Sequence, residues 1–271
     1  MACPPGTLMS GAAQVRIGTS GWHYKHWVGR FYPADIRTAR MFDYYLRFFD
    51  TVELNNSFYR LPTPEAFAAW RDAAPSNFCF AVKGSRFLTH NKKFKEPEQA
   101  LQNLLPRAEV LGRKLGPILF QLPPNWKVNA PRLEEFLRVL PKAHRYAFEF
   151  REPSWNTESV YEILQRHNAA YCIHELAGFH TPLTVTADFT YVRLHGPNDK
   201  YQGCYTGQKL REWADRIACW SSVLRQIYVY FDNDDCGFAA RNALELKEMV
   251  GKLARDLQVK GRGPIPKSCC Q

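Results

Sequence analysis

Residues 146–151 read Tyr-Ala-Phe-Glu-Phe-Arg. In a strand, successive side chains point to opposite faces, so Tyr146, Phe148 and Phe150 make one aromatic face while Glu149 and Arg151 turn to the other. An apolar face that packs against helices, backed by a face that becomes ionisable at its C-terminal end, is what a strand of a (β/α)8 barrel needs. Seven more short apolar or aromatic segments are bounded by Gly, Pro, Asn or Asp: Val15–Gly18, Thr51–Asn55, Phe78–Lys83, Pro117–Leu122, Ala170–Glu175, Thr190–His195 and Ile227–Asp232. With Arg145–Arg151 they total eight. Helical spacing of apolar residues falls between most of them, over Pro64–Ala74, Glu98–Leu111, Pro131–Leu140, Glu158–His167, Gln208–Val223 and Phe238–Leu253. Thr63 is placed to cap the first of these and Gly112 to end the second. The sixth connection, Leu176–Asp188, contains Gly and Pro and reads as non-helical. Eight strands alternating with helices over about 250 residues make an α/β protein built as a single (β/α)8 TIM-type barrel. A doubly wound open sheet is the alternative, but no GxGxxG follows the first strand.

The same alternation gives the interior. Glu53 and Asn55 face in from the second strand, Lys83 from the third, Gln121 from the fourth, and Glu149 and Arg151 from the fifth. His174, then Arg193 with His195, then Tyr230 with Asp232 complete the set. The first strand ends in Gly18-Thr19-Ser20-Gly21, a tight turn that lets a ligand approach the backbone. Any one inward pair, such as Glu149 with Arg151, is explained as well by structural pairing. Burying so many ionisable groups together is costly, and a polar mouth at the C-terminal end of the barrel removes the cost.

Within that mouth Glu149 and His195 are the natural general acid and base, with Glu53 and Asp232 as further catalytic candidates. Lys83, Arg151 and Arg193 suit a bound phosphate or carboxylate, with Asn55, Gln121, Tyr230, Trp22 and His90 as further substrate contacts. Lys83 could also form a Schiff base if desolvated among like charges, although anion pairing is the simpler role. Glu53, Glu149, His174 and Asp232 have the ligand types for a divalent metal, Mg²⁺ or Mn²⁺, but no HxH or HExxH spacing supports one. Asp234 and Asp235 are expected to cap the last helix. The loop from His195 to Gly203 is Gly-rich and could close over a substrate, and His23 and His26 sit in an aromatic loop with Trp22, Tyr24 and Trp27.

Composition sets outer limits. Of 271 residues 45% are hydrophobic, 14% aromatic and 23% charged, which excludes disordered, collagen-like and coiled-coil classes. No apolar run approaches a membrane span, and the N-terminus lacks the pattern of a secretory signal. The eight Cys are scattered without a CxxC pair, so reduced thiols in an intracellular, cytoplasmic setting are expected. The net charge of +10 favours anionic partners. Part of the excess lies in Lys92, Lys93 and Lys95, and part in the tail after Lys247. Residues 1–13 and 257–271 read as poorly ordered segments flanking one barrel domain over 14–256.

Several motifs together resemble a known family. They are Gly18-Thr19-Ser20-Gly21-Trp22 with Phe31-Tyr32-Pro33, Thr51-Val52-Glu53-Leu54-Asn55 with Ser57-Phe58-Tyr59, and Phe80-Ala81-Val82-Lys83 with Thr89-His90. Further along come Phe120-Gln121-Leu122-Pro123-Pro124, Phe148-Glu149-Phe150-Arg151 with Pro153-Ser154-Trp155, Tyr191-Val192-Arg193-Leu194-His195-Gly196 and Tyr228-Val229-Tyr230-Phe231. In this order, over residues 15–255, they resemble the YecE-like family, also called domain of unknown function 72. The resemblance implies a TIM-type barrel and leaves the reaction open. One departure is Asp232-Asn233-Asp234, where the family commonly has Asn-Asn or Asn-Asp.

The mixed charges of the mouth, the aromatic loops and the basic balance favour a hydrolase acting on a phosphate ester, a class that includes nucleic-acid phosphodiesters. The partner is then an anionic small molecule or a single-stranded nucleic acid. A lyase or isomerase of a sugar or sugar phosphate is the alternative, and a non-catalytic binder of nucleic acid or an anionic ligand is a third.

Overall fold

All eight expected strands form, and they run parallel in chain order around a barrel. The structure, a computed structural model, describes residues 13–259. The strands are β1 (Gln14–Thr19), β2 (Thr51–Leu54), β3 (Cys79–Lys83), β4 (Leu115–Gln121), β5 (Tyr146–Glu149) and β6 (Ala170–Leu176). After the short β7 (Phe179–His180) come β8 (Phe189–Leu194) and β9 (Gln226–Phe231). Pairing runs β1-β9-β8-β6-β5-β4-β3-β2, with β7 antiparallel on β6. The ring is nearly closed: β1 and β2 meet through the parallel bridge Ser20–Glu53 and a bond from Gly21 N–H to the Glu53 carbonyl, 2.8 Å. Gly18 permits this seam, since a Cβ there would stand 2.5 Å from the Thr51 carbonyl oxygen.

The helices are α1 (Met41–Tyr45), α2 (Asn56–Tyr59), α3 (Pro64–Ala73), α4 (Glu98–Glu109), α5 (Ala130–Val139), α6 (Glu158–Arg166), α7 (Gly207–Trp220) and α8 (Phe238–Val259). The short α1 and α2 were not legible as helical spacing. Thr63 caps α3 as expected, its hydroxyl accepting from Ala66 N–H at 3.3 Å. Gly112 does not end α4; that helix stops at Glu109, and Gly112, at φ +56°, opens a separate 3₁₀ turn. Asp234 stands at the N-cap of the 3₁₀ turn Asp235–Gly237 that leads into α8, and its side chain makes no capping bond there. Instead the Asp234 carbonyl accepts from Trp27 Nε1, 2.9 Å, tying the β1 loop to the β9 loop. The expectation for the chain ends falls on residues outside those described, apart from α8, which continues to Val259.

The sixth connection is non-helical. It turns back through β7 and runs along β6, where threonines do the work of a neighbouring strand. Thr181 Oγ1 accepts from His174 N–H at 2.8 Å, and Thr186 Oγ1 accepts from Tyr171 N–H at 2.8 Å and donates to the Ala169 carbonyl at 2.7 Å.

The core has two layers, sorted by strand alternation. Outward residues such as Ile17, Val52, Phe80, Ile118, Phe120, Phe148, Val192, Ile227 and Val229 pack in one cluster with the helices. Inward residues make a second, smaller cluster: Cys79, Ala81, Leu119, Ala147, Ala170, Cys172, Phe189, Tyr191, Tyr228 and Tyr230. This second cluster fills the barrel and forms the floor beneath its C-terminal mouth.

Candidate functional site

Arg193, on β8, is fully buried at the centre of the mouth and reaches three carboxylates, two on β2 and β5 and one just after β9. Its Nη1 donates to Glu149 Oε2 at 2.6 Å, and its Nη2 donates to Glu53 Oε1 at 2.7 Å and to Asp232 Oδ2 at 2.9 Å. Three buried acids thus share one guanidinium, and Arg151 supplies a second charge by pairing through Nε with Glu149 Oε1. The remaining capacity of Glu53 is taken by the Ser20 hydroxyl and by Tyr191 Oη, 2.6 Å. Burial alone would raise the Glu149 and Asp232 carboxyls. The guanidiniums beside Glu149, and Arg193 with His195 beside Asp232, outweigh it and hold both below the usual range. The same carboxylates push Arg193 up against the opposing effect of its own burial.

His195 stands next to this cluster, two residues along β8. Its Nδ1 lies 2.9 Å from Asp232 Oδ2, and its Nε2 lies 3.0 Å from Arg151 Nη2 and 3.3 Å from Glu149 Oε1. Nδ1 thus faces a carboxylate acceptor, and Nε2 faces both a guanidinium donor and a carboxylate acceptor. The Tyr201 ring closes over this imidazole, with centroids 5.6 Å apart. Tyr201 takes φ +63° to do so, and its N–H donates to the His195 carbonyl at 2.6 Å.

Lys83 and His174 differ from the rest. Lys83 is 8% exposed, and its Nζ lies 4.4 Å from the centre of the Phe58 ring. Among the described residues no carboxylate lies within ion-pairing distance of it. Burial, then Arg193, depress the ammonium to about 8 against the opposing pull of the carboxylates. His174 is buried with neither ring nitrogen bonded, and burial lowers it to about 3, so it is a neutral imidazole. It packs edge-on against His195, 5.9 Å between centroids.

Other expected site residues lie around this centre. Asn55 Nδ2 donates to Ser20 Oγ at 2.6 Å while its Oδ1 is buried without a partner. Gln121 donates to the Leu122 carbonyl at 3.0 Å. His90 leans on the opposite edge of the Lys83 site: its ring meets Phe58 at 5.1 Å, and burial with Arg86 and Lys83 lowers it to about 4. Trp22 does not enter the network. It packs against Phe42 and Trp70, and Trp70 lines a groove of about 400 Å³ with Asn56, Tyr59 and Arg60 beside the end of β2. Tyr230 is fully buried in register with Arg193, and its hydroxyl lies 2.7 Å from Thr51 Oγ1. Lys92 pairs with Glu96, and the loop is pinned by Phe94, whose ring stacks on Phe136 at 3.9 Å.

The expected metal set is not assembled as a metal centre. Glu53, Glu149 and Asp232 each turn an oxygen to Arg193. Among the described residues no group of three or more His, Cys, Asp and Glu side chains is gathered to hold an ion. Two contributors were missed from sequence, Ser20 and Tyr191. Both lie on the inward parity of their strands, so alternation could have found them; a hydroxyl drew less notice than a charge. Tyr24 was read only as part of an aromatic loop, but its hydroxyl donates to the Ser20 carbonyl at 2.5 Å and steadies the same corner.

Comparison with known proteins agrees with this architecture. The model of the family described as protein of unknown function DUF72 matches residues 16–267. The UPF0759 protein YunF of Bacillus subtilis is 25% identical over 92% of this chain and 98% of its own length. The UPF0759 protein YecE of Escherichia coli K12 is 28% identical over 142 residues, 52% of this chain and 50% of that protein, so the match spans half of that relative. The crystal structure of a DUF72 family protein from Thermotoga maritima superposes with a TM-score of 0.81 at 29% identity, covering 88% of this chain and 99% of that one. Another from Enterococcus faecalis, at 19% identity and a TM-score of 0.73, shares the fold. With the family model covering nearly the whole barrel, the chain belongs to the DUF72 family.

Proposed function

We propose that the barrel mouth is an active site for a phosphate-bearing substrate, and that the reaction is hydrolysis of a phosphate ester, with His195 moving the proton. The observation that carries this reading is the Asp232–His195 pair, 2.9 Å, set at the end of neighbouring strands beside Arg151. Asp232 holds Nδ1–H, which leaves Nε2 as the group that takes or returns a proton. Arg151 and Lys83 supply the positive charge for the phosphate. Glu149 takes a different part from the acid/base role its position suggested. Ionised between two guanidiniums, it has no proton to give, and it orients Arg151 and Arg193. Glu53 likewise fixes Arg193.

A single-stranded nucleic acid is the larger form of the same substrate class, consistent with the net charge of +10 and with Tyr59, 80% exposed beside the groove. The test is hydrolysis of p-nitrophenyl phosphate, bis-p-nitrophenyl phosphate and end-labelled single-stranded DNA and RNA, each with Mg²⁺, with Mn²⁺ and with EDTA. His195→Gln should lower turnover by about 100-fold or more while substrate binding persists. Turnover that survives this change, or binding that depends on Lys92, Lys93 and Lys95 without any turnover, would overturn the hydrolase reading.

A second reading, a lyase or isomerase of a sugar phosphate, is favoured by one observation: the Lys83 ammonium lacks a carboxylate partner although three carboxylates share its mouth. Saturable thermal stabilisation by phosphosugars, with indifference to DNA, would select it.

A further inference from the structure

Lys83 ends β3 at the same level as the carboxylate cluster, yet it stands apart from it. Every acid in the mouth is committed elsewhere: Glu53 to Arg193, Ser20 and Tyr191; Glu149 to Arg193 and Arg151; Asp232 to Arg193 and His195. What Lys83 Nζ touches is the face of Phe58. The Phe58 ring is itself fixed by α2, whose Ser57 hydroxyl donates to the Lys83 carbonyl at 2.6 Å, so the amine and its aromatic wall are held together. A lysine kept only to grip an anion gains from exposure and from staying charged, whereas this one is buried against a ring.

We infer that Lys83 is a nucleophilic amine that captures the carbonyl carbon of an aldehyde or ketone substrate as an iminium ion. The inference rests on the second reading above, a carbonyl substrate at the mouth. The Nζ lone pair forms the new C–N bond, and the carbonyl oxygen departs as water with the two protons that the ammonium gives up. The positive charge stays on the iminium, and nothing is oxidised or reduced. Burial and Arg193 support the step by lowering the ammonium to about 8, so that a large share is free amine just above neutrality. The charged groups acting on it are Arg193 on β8, Glu149 on β5, Glu53 on β2 and Asp232 after β9; Lys83 in turn helps lower nearby His90. The iminium draws electrons from the adjacent carbon, and His195 is the imidazole in the same mouth suited to take the proton released there.

The experiment uses the full chain and two probes. Glycolaldehyde phosphate offers a carbonyl, and sodium borohydride fixes any imine as a secondary amine that peptide mass mapping can place. Glycerol 3-phosphate offers the phosphate without the carbonyl and reads mouth binding as a thermal shift. Lys83 should be labelled about tenfold faster than Lys92, Lys93 or Lys95, with a rate that climbs as pH passes about 8. Lys83→Arg, which keeps the charge, should abolish that label while its melting curve reports an intact fold. Stabilisation by glycerol 3-phosphate without preferential labelling of Lys83 overturns the imine and leaves the sugar-phosphate reading standing. Neither stabilisation nor labelling overturns both.

Discussion

The upper and lower halves of the barrel interior are built from the same strands, two residues apart, and have opposite chemistry. Below, β3, β5, β6, β8 and β9 contribute Ala81, Ala147, Cys172, Tyr191 and Tyr230, which are buried and apolar or singly hydroxylated. One inward step higher, the same strands contribute Lys83, Glu149, His174, Arg193 and Asp232. Burial hardly changes across this step: Glu53, Glu149, Arg193 and His195 are as inaccessible as Ala147 beneath them. The difference is therefore not one of exposure. The lower layer is stabilised by exclusion of water, and the upper layer by mutual compensation of charge, which makes it far less tolerant of losing a single member.

The largest effect should follow from breaking that compensation at its centre. Arg193→Met leaves Glu53 and Asp232 without a cation and Glu149 with only Arg151. We expect a loss of about 3–5 kcal/mol in denaturant unfolding, as for removal of one partner of a buried ion pair. A loss under about 1 kcal/mol would mean that the three acids take up protons freely and that the layers differ less than the geometry implies.

His174 sharpens the comparison because it is the one upper-layer group that behaves like the lower layer, buried and neutral. Its folded-state value of about 3 lies below the ordinary value of 6.5, so the unfolded chain binds the extra proton. Stability therefore falls as pH drops from about 6.5 towards 3, and this part of the acid limb belongs to His174. His174→Phe should remove it, narrowing the gap between stability at pH 7 and at pH 4 by roughly 3 kcal/mol. An unchanged acid limb would assign the pH dependence to the carboxylates alone.

A smaller effect should separate two tyrosines of the lower layer that differ in what their hydroxyls meet. Tyr191 Oη donates to a carboxylate, Glu53, and Tyr230 Oη shares a bond with a hydroxyl, Thr51 Oγ1. Bonds to charged groups contribute about 1.5–3 kcal/mol and neutral ones about 0.5–1.5. Tyr191→Phe should thus cost more than Tyr230→Phe in parallel thermal melts. Equal losses would deny that a bond reaching up to the charged layer carries extra weight.

Alternation makes this division legible in the sequence. In residues 146–151 it put Glu149 and Arg151 on the inner face, and every inward charge it named lies in the mouth. It does not encode depth: Tyr230 and Asp232 share an inward parity, but the Tyr230 hydroxyl meets Thr51 Oγ1 one step below Asp232. Nor does it encode partners. That three carboxylates would converge on Arg193 depends on side chains that meet across the barrel from strands as far apart as β2 and β8. The short helices α1 and α2 escaped notice because four or five residues carry too little periodicity. The sixth connection was read correctly as non-helical from Gly178 and Pro182, but its threonine contacts to β6 had no sequence signal.

Lys83 carries the smallest of these predictions and the one with an inverted sign. Its folded-state value of about 8 lies below the ordinary 10.4, so between these limits the unfolded chain binds the extra proton and folding stability rises with pH. Below about 8 the native state holds a charged amine that burial disfavours, and that cost is fully present at neutral pH. Lys83→Met keeps the aliphatic stem against Phe58 and deletes the charge, so it should stabilise the protein at pH 7 by about 1 kcal/mol. The advantage should shrink towards pH 10, where the wild-type amine is neutral in the native state. A Met variant that is less stable at pH 7 would show that the ammonium is compensated in the mouth as Arg193 is. A more stable one would mark Lys83 as a residue that weakens the fold it belongs to, which fits a side chain kept for what it does to a ligand.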